Sequence, residues 1–170
     1  ILFYNTYNSL LEEKNFRTIF YEVFIPLLFD LGMLWQTNTI SPSHEHFLTV
    51  HIKQKILVHI ERLQSTDPRP STKTVVLFLP ETEFHEIGLL YSYYILRKEN
   101  CECIYLGANV PIADVEECSI NTKAKNIVCA FTIFRSKKRI DAYLDNMIKM
   151  FKDHKILVHG LPDSYKTTYQ

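Results

Sequence analysis

The densest chemistry in the chain lies in Glu83-Phe84-His85-Glu86-Ile87-Gly88. A histidine two residues after a carboxylate can donate its Nδ1 proton to that carboxylate. Nε2 is then left as an oriented lone pair, the arrangement that metal-ligating histidines use. Gly88 lacks a Cβ and leaves room for a bulky ligand near the backbone. A solvated surface loop carries the same kind of pair, so the elements around it must decide. His44-Glu45-His46 lacks the i, i+4 histidine spacing of zinc peptidases. No Gly-x-Gly-x-x-Gly and no Gly-x-Ser-x-Gly occurs, which argues against dinucleotide binding and against a hydrolase elbow. Cys101, Cys103, Cys118 and Cys129 fit neither a zinc site nor a redox CxxC and read as reduced thiols.

Two textures position these residues. Residues 1–66 read as helix: Phe16, Ile19, Phe20, Val23, Phe24, Leu27, Leu28, Leu31 and Leu34 recur at helical steps. Pro26 predicts a kink or break in that run, and Ser41-Pro42 predicts a capped helix start. Residues 67–71 read as a linker. Residues 72–170 alternate: strands near 74–79, 103–106, 126–130 and 155–159, helices over 86–98, 112–120 and 138–152. The fold class is therefore α/β with an N-terminal helical bundle and a Rossmann-like, flavodoxin-like parallel sheet. Too little chain follows the fourth strand for a fifth, so the sheet reads as cropped or shortened. In such sheets ligands bind beyond the carboxyl ends of the strands. That places the loops at 80–85, 107–111, 132–136 and 160–163 at the expected site.

Composition narrows the functions. Lysine plus arginine balances aspartate plus glutamate, so the formal net charge is zero and nothing electrostatic favours nucleic acid or an anionic membrane. The basic run Arg135-Ser136-Lys137-Lys138-Arg139 has no aromatic platform and reads as a solvated face. No apolar run looks long enough to span a bilayer. The opening Ile1-Leu2-Phe3-Tyr4-Asn5 lacks a signal-peptide layout and an initiator methionine, which suggests a cytoplasmic chain and a fragment.

Glu83-x-His85-x-x-Gly88 after the first strand resembles the Asp-x-His-x-x-Gly signature of base-off, His-on cobalamin-binding domains. Trp35, the only tryptophan, followed after nine residues by Glu45-His46, resembles the Trp-x9-Glu-His signature of light-responsive, MerR-type cobalamin regulators of the CarH and LitR kind. Tyr105-Leu106-Gly107-Ala108-Asn109-Val110-Pro111 resembles the loop after that family's second strand. The resemblance covers about Glu12 to Gly160. It implies that His85 is the lower axial ligand to cobalt, with Glu83 hydrogen-bonded to it. It implies that Trp35, Glu45 and His46 face the upper ligand, and that Gly88 and Gly107 lie near the cofactor.

Three positions depart from the family pattern. A serine that would hydrogen-bond the buried nucleotide base is replaced by Ala130, with Thr132 as the nearest substitute. A Gly-Gly pair that makes space for the nucleotide tail becomes His159-Gly160. The histidine that follows the tryptophan in the light-sensing branch is Gln36.

The resemblance implies a cobalamin-binding sensory and oligomerisation module of a bacterial transcriptional regulator, not an enzyme. The cofactor would be adenosylcobalamin, with methylcobalamin as the other form. A homo-oligomer is expected, with DNA bound only through a helix-turn-helix domain not seen in this chain, and no membrane partner. Two readings stay open beside it: a corrinoid carrier of a methyltransferase system, and a degenerate sensor that no longer binds cobalamin.

Overall fold

The structure is a computed structural model describing residues 2–64, 73–132 and 136–161. The expected linker at 67–71 lies outside the described residues, as do parts of the 132–136 and 160–163 loops. The chain divides into two units, Ile1–Lys55 and Ile56–Gln170.

The first unit is helical. Helix α1 (Leu2–Glu13) is followed by the short α2 (Phe16–Ile19), a π-helical turn (Phe20–Phe24), α3 (Ile25–Gln36) and the start of α4 (Pro42–Gln64). Asn15 caps α2 by accepting from the Thr18 amide. The expected disturbance at Pro26 takes the form of that π turn. Proline has no N–H and its ring crowds the preceding turn, and an i→i+5 turn absorbs both without breaking the helix. Phe3, Tyr7 and Phe24 stack on one another, Phe16 meets Phe24 edge-on, and Ile19 and Ile52 are fully buried. The helical run Phe16–Gln36 spans 21 residues and contains an 18-residue stretch of mean hydropathy 1.5, long and apolar enough to cross a bilayer by length and composition. This corrects the expectation of no such run. Arg17, Glu22 and Asp30 interrupt the apolar string in sequence, whereas the π turn keeps the helix continuous past Pro26.

The second unit begins with the last turns of α4. There His59 meets the Tyr94 ring edge-on. It continues as β1 (Thr74–Pro80), α5 (Ile87–Lys98), β2 (Glu102–Val110), α6 (Ile112–Thr122), β3 (Asn126–Ala130), α7 (Lys137–Met150) and β4 (Lys155–His159). All pairings are parallel, in the order β2-β1-β3-β4. That is the flavodoxin-like order, with its switch point between β1 and β3. Alternation along β1 builds two cores. Val76 and Phe78 face Val115, Ile140, Leu144 and Met147 on the α6/α7 side, while Val75, Leu77 and Leu79 face Leu89 on the α5 side. Each such buried side chain contributes roughly 1.5–3 kcal/mol. With both faces covered, β1 needs the unbroken apolar run that the sequence shows.

Candidate functional site

The carboxyl ends of β1, β2 and β3 come together through three loops. After β1 the chain turns sharply, with the Glu83 amide donating to the Pro80 carbonyl at 3.0 Å. Thr82 holds φ +68° at the third position of that turn, a place that favours glycine or asparagine. Asn109, itself at φ +58°, secures it. Its side-chain Oδ1 accepts from the Thr82 amide at 2.8 Å, and its own amide donates to the Glu83 carbonyl at 3.1 Å.

Glu83 is completely buried. Its Oε2 accepts from the Thr132 hydroxyl at 2.7 Å and from the Thr132 amide at 3.2 Å. His85 is exposed, with Nδ1 at 3.1 Å from Thr132 Oγ1. The expected direct bond from Glu83 to His85 is therefore corrected: Thr132 stands between them. The extra methylene of glutamate, relative to aspartate, lengthens the reach of the carboxylate, which bonds Thr132 just beyond β3. The single hydroxyl proton of Thr132 goes to Glu83.

Gly88 lies in the first turn of α5 and is exposed, and nothing stands within 4 Å of where its Cβ would be. Gly107 occupies a bulge of β2 at φ +86°, and an added Cβ would lie 3.4 Å from Glu86 Oε1. That same oxygen accepts from the Tyr105 hydroxyl at 3.1 Å. Burial first, and then the Glu86 charge, push the Tyr105 hydroxyl far above the ordinary tyrosine range, so it remains a donor. Sequence reasoning singled out neither Asn109 nor the Tyr105–Glu86 pair as individuals. The one signal was that both lie in or beside the Tyr105–Pro111 loop.

Ala130 is buried among the apolar residues of the α5 face and offers no polar atom there. His159 ends β4 with its side chain in contact with solvent. Protein atoms nevertheless crowd the ring, and that partial desolvation lowers its pKa from the ordinary histidine value, leaving it neutral at pH 7. Gly160 has φ +76°, and a Cβ there would fall 1.7 Å from the Phe131 carbonyl oxygen. The space this glycine leaves is thus filled by the chain's own backbone.

The helical unit holds the other motif. Trp35 lies near the end of α3 and is 50% exposed. Glu45 and His46 lie in the first turns of α4, with Oε2 and Nε2 3.4 Å apart. His46 also lines a shallow hollow with Ser43, Phe47, Val50 and His51.

All four cysteines are free thiols. Burial pushes the Cys129 thiol up strongly, and burial followed by the neighbouring Cys101 pushes Cys103 up to about 12. Neither is a nucleophile or a ready metal ligand at neutral pH.

No family model matches the chain. Two curated proteins of Myxococcus xanthus do. The HTH-type transcriptional repressor CarH is 30% identical over 96 residues, covering 56% of this chain and 31% of that protein. The HTH-type transcriptional repressor CarA is 22% identical over 137 residues, covering 81% and 45%. The chain thus spans less than half the length of either repressor. Among solved structures, the monomethylamine corrinoid protein of Methanosarcina barkeri superposes with a TM-score of 0.72 at 13% identity, over 95% of this chain and 78% of that one. The methanol:cobalamin methyltransferase complex MtaBC from the same organism gives a TM-score of 0.52 at 15% identity, over 89% and 59%. These last two similarities speak to the fold. In sequence the chain is similar to parts of these two repressors, and in fold it is similar to the monomethylamine corrinoid protein.

Proposed function

We propose that this chain is the cobalamin-binding sensory and oligomerisation module of a transcriptional regulator, with His85 as lower ligand to cobalt. The observation that carries this reading is the placing of His85. It stands beyond the carboxyl end of β1, exposed, with Nδ1 engaged by Thr132 and open space at Gly88 one turn along. An imidazole so held presents Nε2 outward, as a metal ligand must. Similarity to two HTH-type repressors supports the regulatory role. The reading gives the chain no catalytic step, a cytoplasmic setting, a homo-oligomeric state, and DNA contact only through a separate helix-turn-helix domain.

The lower-ligand side fits the cofactor better than the tail side does. His85 and Gly88 are suitably disposed. Gly160 admits its own chain rather than a ligand, and neutral His159 brings no charge to a phosphate. A bound adenosylcobalamin supplies a light-sensitive cobalt–carbon bond, and methylcobalamin supplies a transferable methyl group. Trp35, Glu45 and His46 are assigned to the upper-ligand side by the motif match alone. With Gln36 beside Trp35, the adjacent upper-side histidine of the light-sensing branch is missing.

Titration with adenosylcobalamin, methylcobalamin and hydroxocobalamin, followed by absorbance, tests the reading. A spectral shift to the histidine-ligated form at micromolar cofactor is expected, and His85→Ala abolishes it. No shift in the wild-type protein would overturn it. Methyl transfer from the loaded protein to a thiol acceptor, with no response to illumination, would favour the carrier reading instead. That reading draws on the fold shared with the corrinoid protein.

A further inference from the structure

We propose that Thr132 is the positioning residue of the cobalt-binding histidine: Glu83 acts on His85 only through it, and the pair fixes which ring nitrogen is free. The inference rests on the reading of His85 as axial ligand, but its geometry stands in the protein without cofactor.

A threonine hydroxyl has one proton to give and two lone pairs to receive with. The Thr132 proton goes to Glu83 Oε2, at 2.7 Å. The same oxygen takes the Thr132 amide, so the carboxylate grips both backbone and side chain of this residue. With its proton committed, Oγ1 can only accept from His85 Nδ1, 3.1 Å away. Nδ1 must therefore carry the hydrogen. A neutral imidazole has one N–H, so Nε2 is left as the lone pair.

The anchor of this relay is rigid. Glu83 is fully buried, and its backbone is bonded at one end to Pro80 and at the other to Asn109. Thr132 follows β3, the strand paired with β1 through Phe78 and Cys129. The histidine is thus oriented from two adjacent strands rather than by one flexible loop. A carboxylate bonded directly to the ring would leave its orientation to a single side chain.

The test reads the ring itself. In cofactor-free protein, at a pH where the imidazole is neutral, 15N shifts of the His85 ring report the tautomer. The wild type is expected to show Nδ1–H, and Thr132→Ser to keep it. Thr132→Val retains the shape and the amide bond to Glu83 but removes the acceptor, and is expected to move the ring to Nε2–H or a mixture. In loaded protein, Thr132→Val should weaken cobalamin affinity about 10–100-fold, the usual scale for losing a metal ligand's orienting partner, and Thr132→Ser should restore it. Wild-type protein with Nε2–H, or a Thr132→Val ring unchanged from wild type, would overturn the proposal even if a variant folds poorly, because the wild-type spectrum alone is decisive. If the wild type shows Nδ1–H yet takes up no cobalamin, the relay stands and the axial-ligand reading fails.

Discussion

The two units hold their candidate residues in opposite ways. In the α/β unit, Glu83 is sealed from solvent, Thr132 is gripped at two atoms, and Asn109 ties one loop to the next. In the helical unit, Trp35 is half exposed, and His46 projects into solvent beside Glu45. The first arrangement is built before any ligand arrives. The second consists of side chains that keep their rotamer freedom, and immobilising such a side chain costs roughly 0.5–1.5 kcal/mol. The residues around Glu83 in the α/β unit are thus held in place by the fold itself, while Trp35 and His46 in the helical unit keep their side-chain freedom.

Three substitutions test this contrast. Gly160→Ala should be the most severe. Its new Cβ would collide with a backbone carbonyl, which cannot swing aside, so a loss of about 3 kcal/mol or more is expected in denaturant unfolding. Asn109→Ala removes the acceptor of the Thr82 amide and places alanine at a left-handed φ, for a loss of about 2 kcal/mol. Trp35→Phe, on the exposed end of α3, should change stability by less than about 0.5 kcal/mol. A Trp35→Phe loss as large as that of Asn109→Ala would show that the helical half is as tightly built as the other.

Much of the fold was legible because local pattern and tertiary role coincide. The run Val75–Leu79 is apolar throughout, since both faces of β1 are covered, and a parallel strand follows directly. Pro42 suits the first turn of a helix by local chemistry alone, and α4 begins at Pro42. The apolar stretch Phe16–Gln36 was harder to read. Its continuity depends on how the backbone winds past Pro26, which residue types do not specify. Within the site, the importance of His85 was visible from its neighbours in sequence, whereas its hydrogen-bond partner was not. Thr132 lies 47 residues away, and only the pairing of β1 with β3 brings it close.

Residue order by itself determined the α/β alternation, the helical first part, and the histidine placed after β1 with a glycine one turn on. These follow from periodicity and from steric rules that act over a few residues. Tertiary structure alone decided that the Glu83 carboxylate turns inward to Thr132, that Asn109 holds the turn, and that Gly160 yields its space to Phe131. A side chain's reach is set by which strand ends become neighbours. That is a property of sheet order, which no short stretch of sequence carries.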